Sequence, residues 1–353
     1  MRSTRTGVTT DPIMKLFKKK NAKKTEQQKV DERREEVFAT GRKFKYPLQF
    51  TKHRIVINTI LIATVVIGIV FIGGWLALYR FNMYSDMLFR ITKIIPAPVA
   101  TVDGKTVRFS DYLMFYRSSI TSIERQSSQV DVSGSIEDLR EQYKRAALEE
   151  AEEYTYALKL ADDHGITVSA EEVDAEFTRH RELGGVERSD AAFLKIVEDN
   201  FGLTKDEYRR LLTLTITRAK VEAEIDTTAT KIANEVEKLL TSNGGDYAAV
   251  AEALGDKIIY EETGGMVSSQ NIDGGRASAA VKLEPGGQSG KFVSMNGDGY
   301  YFVKLIKKTE TEVNFVSIKV PFTKFKTDFD QLREDGKIEE FITLGSEDTT
   351  PAS

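Results

Sequence analysis

The sequence predicts an α+β protein with a single transmembrane helix, a mainly helical domain and a smaller α+β domain. Three observations support this prediction. Residues 55–79 form a run of 25 residues without a charge. Apolar residues recur at helical spacing over residues 136–161. Beyond residue 244, pairs of glycines separate short stretches that alternate like strands.

The uncharged run is long enough to cross a membrane. At about 1.5 Å per residue, a helix over 55–79 reaches roughly 37 Å, against about 30 Å for the hydrocarbon core. Residues 1–54 contain sixteen Lys and Arg against six Asp and Glu, a net charge of +10. Positive residues stay on the cytoplasmic side. We therefore expect a single-pass protein of the cell membrane, with a basic cytoplasmic segment and an extracytoplasmic C-terminal part.

A cleavable signal peptide is the competing interpretation. The uncharged run exceeds the roughly 7–15 residues of a signal core, and residues 71–75 offer no small-x-small cleavage site. The segment is therefore expected to stay as an anchor. Met14 followed by Lys15 looks like a natural translation start, so we assign nothing functional to residues 1–13.

Composition excludes several kinds of chemistry. The chain has no cysteine and three histidines, which excludes thiolate catalysis, zinc-thiolate sites and dithiol redox work. We expect no cofactor and no metal. The net charge of −4 leaves −14 for the residues after 54 once the +10 is subtracted. Such an acidic part is not expected to bind nucleic acid, and the basic segment fits anionic lipid headgroups better.

Helical patterns dominate residues 96–226. Apolar residues over 136–161 recur at spacings of three and four, which predicts one long amphipathic helix that ends near Gly165. Two capping boxes predict the starts of further helices; they are Ser169 with Glu172 and Thr204 with Glu207. The sequence predicts about five helices in this domain.

The character of the chain changes after Asp226. One more helix is followed by three strand candidates at 288–295, 300–307 and 313–320, which predicts a small α+β domain over 227–321. Helical spacing returns over 325–343, so we expect a C-terminal helix within 322–344 that completes the helical domain. The polar tail over 345–353 is predicted to be disordered.

Three motifs follow one another along the helical part of the sequence. They are a strand and Asp-Gly turn over 98–105 followed by residues 110–112, a helix connection over 158–169 followed by Glu172 and Val173, and a turn over 201–204 followed by Glu207. In this order they resemble the N-terminal domain of SurA/PrsA-type chaperones. Each motif alone is weak, but their order over this length of chain makes the resemblance specific.

Four further segments lie after Asp226, at 245–251, 264–265, 283–289 and 299–304. They resemble a parvulin domain, the peptidyl-prolyl isomerase fold of the same family. The strand that normally opens a parvulin domain is missing before Asp226, and residues 316–320 resemble it. We therefore predict that strand 313–320 pairs with 300–307 and fills the vacant place, a circular permutation. The helix after it is expected to pack back on the helical domain.

The resemblance also locates a site, with departures. Tyr301 and Ser317 replace the two parvulin histidines, so isomerase activity is left open and efficient activity is not expected. Their hydroxyls can hydrogen-bond a peptide, which makes them weak catalytic candidates; the alternative is that they are ordinary strand residues. The implied peptide-binding groove is lined by Ile272, Arg276, Val281, Leu283, Phe292 and Tyr301.

The resemblance implies a bacterial, membrane-anchored extracytoplasmic chaperone or foldase. Unfolded or nascent exported polypeptides would lie in a cleft between the helical and the parvulin-like domains, near the membrane and in reach of a secretion translocon. Two alternatives stay open: an active parvulin-type isomerase with an atypical site, and a cell-envelope scaffold that docks one fixed partner.

Overall fold

The computed structural model describes residues 25–45, 47–81, 85–127, 136–183 and 186–344. The predicted fold class is confirmed, with a long apolar helix, a helical body and a mixed C-terminal part. The chain divides into two compact units, Met1–Gly73 and Gly74–Ser353. Residues 1–13 and the tail predicted to be disordered lie outside the described residues.

The first unit contains α1 (Glu26–Lys45) and most of α2 (Pro47–Tyr79). Within α2, His53–Tyr79 has a mean hydropathy of 2.9 over its most apolar window, and none of that window is buried. This helix is therefore long and apolar enough to cross a membrane, which agrees with the predicted span.

The second unit begins with a helical body. Its elements are α3 (Asp86–Ile94), β1 (Pro98–Val102), β2 (Lys105–Arg108), α4 (Phe109–Ser127), α5 (Ile136–His164), α6 (Ala170–Arg181), α7 (Asp190–Phe201) and α8 (Lys205–Ile225). The long helix predicted to end near Gly165 is α5. Both capping boxes are confirmed, because each serine or threonine accepts from the third backbone N–H while the glutamate accepts from the cap N–H.

An α+β module follows. Its elements are α9 (Thr227–Ser242), α10 (Tyr247–Leu254), β3 (Ile259–Glu262), β4 (Val267–Ser268), α11 (Arg276–Ala280), β5 (Phe292–Val293), β6 (Gly299–Lys308) and β7 (Glu312–Pro321). The sheet order is β3-β7-β6-β5, and β4 also pairs with β7. The predicted hairpin is therefore present as β6 and β7, and β7 occupies a central place. The strand expected over 288–295 is reduced to β5 and one bridge between Gln288 and Lys304.

The two faces of this sheet carry different layers. Tyr300, Phe302, Ile318 and Val320 point to α9 and α10 and form one buried cluster with them. The alternate residues of the same strands point to the opposite face, which α11 covers; they are Val303, Leu305, Val313 and Phe315. The second face also carries the residues predicted to form the site.

The C-terminal helix packs back on the helical body, as predicted, but it is shorter than expected. Helix α12 (Lys324–Glu334) places Phe325 and Phe329 in the core of the helical body. It ends because Gly336 has a φ of +68°, with Gly336 N–H bonding to Arg333 O and Lys337 N–H to Leu332 O. Helical structure over 335–344 was wrongly expected: β8 (Ile338–Glu340) instead pairs with β1 in a three-stranded sheet.

Asp226 ties the two parts of the second unit together. Its side chain is 1% exposed. One carboxylate oxygen accepts from Ala229 N–H at 2.8 Å and caps α9. The other accepts from Thr323 N–H at 2.8 Å and Lys324 N–H at 3.1 Å, where α12 begins. One side chain thus fixes the start of two helices that are distant in sequence.

Candidate functional site

The structure brings the two predicted catalytic candidates together with Arg276. The Arg276 guanidinium donates to Ser317 Oγ at 3.3 Å and lies over the Tyr301 ring, 5.0 Å from its centroid. It also donates to the Asp273 carbonyl at 2.9 Å and forms an ion pair with Glu261. Helix α11 supplies the arginine and the sheet supplies the other side chains. The Arg276 guanidinium therefore makes four contacts and joins the side chains of the site.

The two hydroxyls are inaccessible. Tyr301 is 3% exposed and Ser317 is 1% exposed. The Tyr301 hydroxyl donates to Asp298 Oδ2 at 3.3 Å, and the same carboxylate pairs with Lys319. Burial and the nearby Asp298 charge raise the pKa of Tyr301 to about 12, so the phenol stays protonated at neutral pH. The Tyr301 hydroxyl is therefore not placed to contact a peptide without movement of its neighbours, and Ser317 meets the adjoining cavity with very little exposed surface.

The cavity beside these residues is charged. It has a volume of about 410 Å³, and its lining residues are Glu261, Glu262, Thr263, Val267, Asn271, Asp273, Arg276, Phe315 and Ser317. A proline ring needs an apolar pocket, because burying it against unpaired polar groups gains little free energy. The cavity presents carboxylates and a guanidinium instead.

The remaining residues of the predicted groove have separate environments. Val281, Leu283 and Phe292 are partly buried and pack against the apolar cluster under α11. Ile272 is 69% exposed. Phe292 also lies 6.0 Å from the Tyr301 ring between centroids. Three of the six predicted lining residues therefore support the sheet rather than present a free surface, and their role in peptide binding stays a prediction.

A second surface lies between the helical body and the sheet, where the sequence predicted a cleft without identifying its residues. The cavity there has a volume of about 550 Å³. Its apolar lining comes from Ile166, Ile216, Ala219, Ala223, Val293, Met295 and Tyr300, and its polar rim from Glu176, Thr215, Lys220, Glu224 and Ser294. Val293 and Met295 are 39% and 38% exposed. Apolar side chains are thus open to solvent at the junction.

The turn after β5 packs directly against α8 beside this cleft. Gly297 has a φ of +72°, and a Cβ added there would lie 2.9 Å from the Ala219 Cβ on α8. Only glycine allows the turn to approach the helix so closely. The approach places the turn next to Ala219, one of the residues that line the cleft.

The rim of the cleft keeps a fixed negative charge. Burial alone would raise the pKa of Glu176, but hydrogen bonds from His180 and Arg179 lower it to about 2. His180 also hydrogen-bonds to the Tyr208 hydroxyl, so it is a partly buried residue with a structural role. The carboxylate of Glu176 is ionised throughout the physiological pH range.

A comparison with known protein families finds a match that includes most of the helical body. Residues 48–222 match the family model described as a SurA-like N-terminal domain. The match extends from the apolar helix α2 through most of α8. It supports the SurA/PrsA-type family, a chaperone or foldase type whose N-terminal domain binds unfolded polypeptides in general. No curated protein matches the chain significantly.

Proposed function

We propose that this protein is a membrane-anchored extracytoplasmic chaperone that holds unfolded, exported polypeptides. The observation that carries the proposal is the apolar cleft between the SurA-like helical body and the sheet. Helix α2 would anchor the chain, with the basic N-terminal segment in the cytoplasm and both folded parts outside. Anchoring raises the local concentration of the chaperone where exported chains leave the membrane.

The cleft suits an extended segment of a client chain. In an antiparallel pair of strands, hydrogen-bonded residue pairs alternate with pairs that are not hydrogen-bonded. Ser294 N–H bonds to Gly299 O, so the neighbouring pair, Val293 and Tyr300, is not hydrogen-bonded. The backbone N–H and C=O of Val293 therefore point away from β6. An extended client can pair with this edge and place alternate apolar side chains on Ile216 and Met295. Such contacts need no particular sequence, which is what binding many clients requires.

A charge in the cleft should strongly weaken the holding activity. We expect Val293→Asp to reduce suppression of client aggregation about ten-fold, since desolvating one carboxylate costs more than about 1.4 kcal/mol. The measurement is light scattering of an unfolded client with the full chain in nanodiscs at near-stoichiometric ratio. Ile259→Asp is the matched control, because Ile259 is 42% exposed on β3, at the other end of the sheet order. Equal losses in both variants, or none in either, would contradict the cleft as the binding surface.

We further propose that residues 227–321 form a circularly permuted parvulin-like domain that does not catalyse proline isomerisation efficiently. The buried Tyr301 and Ser317 hydroxyls and the arginine in the site support this. In a protease-coupled proline peptide assay, we expect the isomerisation rate with the full chain present to stay within about two-fold of the uncatalysed rate. Uncatalysed isomerisation takes about tens to hundreds of seconds. Tyr301→Phe and Ser317→Ala should change nothing. A catalysed rate that either substitution lowers would establish the isomerase alternative.

A further inference from the structure

Helix α3 has two opposite faces. Phe89 and Thr92 are 4% and 2% exposed and face the core of the helical body. On the other side, Met87, Arg90, Ile91 and Ile94 follow one another at spacings of three, one and three residues, and they line a shallow apolar surface. Met87 is 72% exposed and Ile94 is 83% exposed. This spacing makes one stripe along the helix, which we call the α3 stripe.

The end of α2 is built into the same core as α3. Leu78 is 6% exposed and belongs to the core cluster that contains Phe89. The Tyr79 hydroxyl donates to the Pro98 carbonyl at 2.6 Å, and its ring packs edge-on against Phe109 with 5.8 Å between centroids. Residues 80–85 then connect α2 to α3, a stretch that reaches roughly 25 Å at most. The α3 stripe is therefore held near the end of the apolar helix.

We propose that the α3 stripe inserts into the headgroup boundary of the membrane that α2 crosses. Two exposed apolar side chains at the stripe ends, with Arg90 between them, match an interfacial helix whose aliphatic residues enter the acyl boundary while the cation stays at the phosphates. The proposal rests on α2 being a membrane span and commits to phospholipid as the partner. It gives the body a second attachment, which fixes the direction in which the cleft opens.

The chain has no cysteine, so single cysteines can report the environment of chosen positions. The test uses Met87→Cys and Ile94→Cys in the full chain, labelled with an environment-sensitive fluorophore and reconstituted in phosphatidylcholine and phosphatidylglycerol vesicles. We expect a blue shift of the emission and a loss of intensity when lipids carry a doxyl group near the headgroup. Lys195→Cys on α7, where the lysine side chain is 65% exposed, should remain in water and unquenched.

A control within the span separates the two claims. Ile67→Cys, at a position 68% exposed on α2, should be quenched by lipids with the doxyl group deep in the acyl chain. If Ile67→Cys is quenched while both α3 variants behave like Lys195→Cys, the interfacial helix is refuted and the span stands. If Ile67→Cys is unquenched, the span fails and the inference fails with it. A blue shift at α3 without lipid quenching would show that protein covers the stripe, which also overturns the proposal.

Discussion

Replacing Asp226 by alanine is expected to lower the free energy of unfolding by about 4 kcal/mol. The carboxylate accepts three backbone hydrogen bonds, from Ala229, Thr323 and Lys324, in a site that is 1% exposed. A net hydrogen bond to a charged group is worth about 1.5–3 kcal/mol, and Ala229, which carries one of the three donors left behind, is buried. Both the start of α9 and the start of α12 would lose their partner.

Two variants make this prediction specific. Asp246→Ala removes the same kind of helix cap, a bond from Ala249 N–H at 3.0 Å, but at an exposed position that caps one helix only, so about 1 kcal/mol is expected. Asp226→Asn keeps one acceptor oxygen, so its loss of unfolding free energy should lie between those of Asp226→Ala and Asp246→Ala. The measurement is urea unfolding of the full chain in detergent, followed by far-UV circular dichroism. A loss for Asp226→Ala no larger than that for Asp246→Ala would show that the α12 bonds contribute nothing.

Glu152 is expected to make the protein less stable as the pH rises. It lies on α5 with 0% exposure; one oxygen accepts from Arg333 at 3.1 Å, and the other has no hydrogen-bond partner within the described part of the chain. Burial, and then the charge of Glu340, raise the pKa of Glu152 to about 8, against the lowering effect of Arg333. The folded chain therefore keeps a proton that the unfolded chain releases.

The sign of the effect follows from linkage. Between the unfolded pKa near 4.5 and the folded pKa near 8, the folded state binds more protons, so stability is fully present below the lower value and falls with pH above it. Glu152→Gln keeps the shape and removes the charge. We expect it to match the natural chain at pH 5 and to exceed its unfolding free energy at pH 9 by on the order of 3 kcal/mol.

Urea titrations at pH 5, 7 and 9 measure this difference. Glu141→Gln is the control, since that carboxylate lies on the same helix but is 48% exposed and pairs with Lys144. Burial also raises the pKa of Glu150, to about 7, so part of the pH dependence should survive in Glu152→Gln. The assignment to Glu152 fails if its substitution leaves the pH dependence as it is in the natural chain.

The parts of the fold that the sequence predicted well are those set by local rules. The capping boxes at Ser169 and Thr204 and the spacing along α5 depend on residues within a few positions of each other. The end of α12 was missed because Ile338 and Phe341 suit a helix as well as a strand, although Gly336 offered a stop signal. Strand β3 was missed because its residues are mostly exposed and it is defined by pairing with β7.

The site likewise has residues that the sequence predicted and contacts that it did not. The resemblance predicted that Arg276, Tyr301 and Ser317 belong to one site, and in the structure the Arg276 guanidinium contacts both Tyr301 and Ser317. It did not predict that Asp298 and Lys319 close over Tyr301, because that closure depends on the register between β6 and β7. The double role of Asp226 was equally hidden, since two of its donors come from the far end of the chain.

The pairing of β1 with β8 has a consequence for biogenesis. Ala100 lies opposite Glu340, so the first strand of the body is completed by the last strand in the described part of the chain. Neither the complete three-stranded sheet nor the burial of Phe329 can form before the C-terminal part of the chain has been synthesised. Until β8 and α12 are available, we expect the body to be a partly folded intermediate with exposed apolar surface. Such an intermediate is prone to aggregation, like the chains that the protein is proposed to protect.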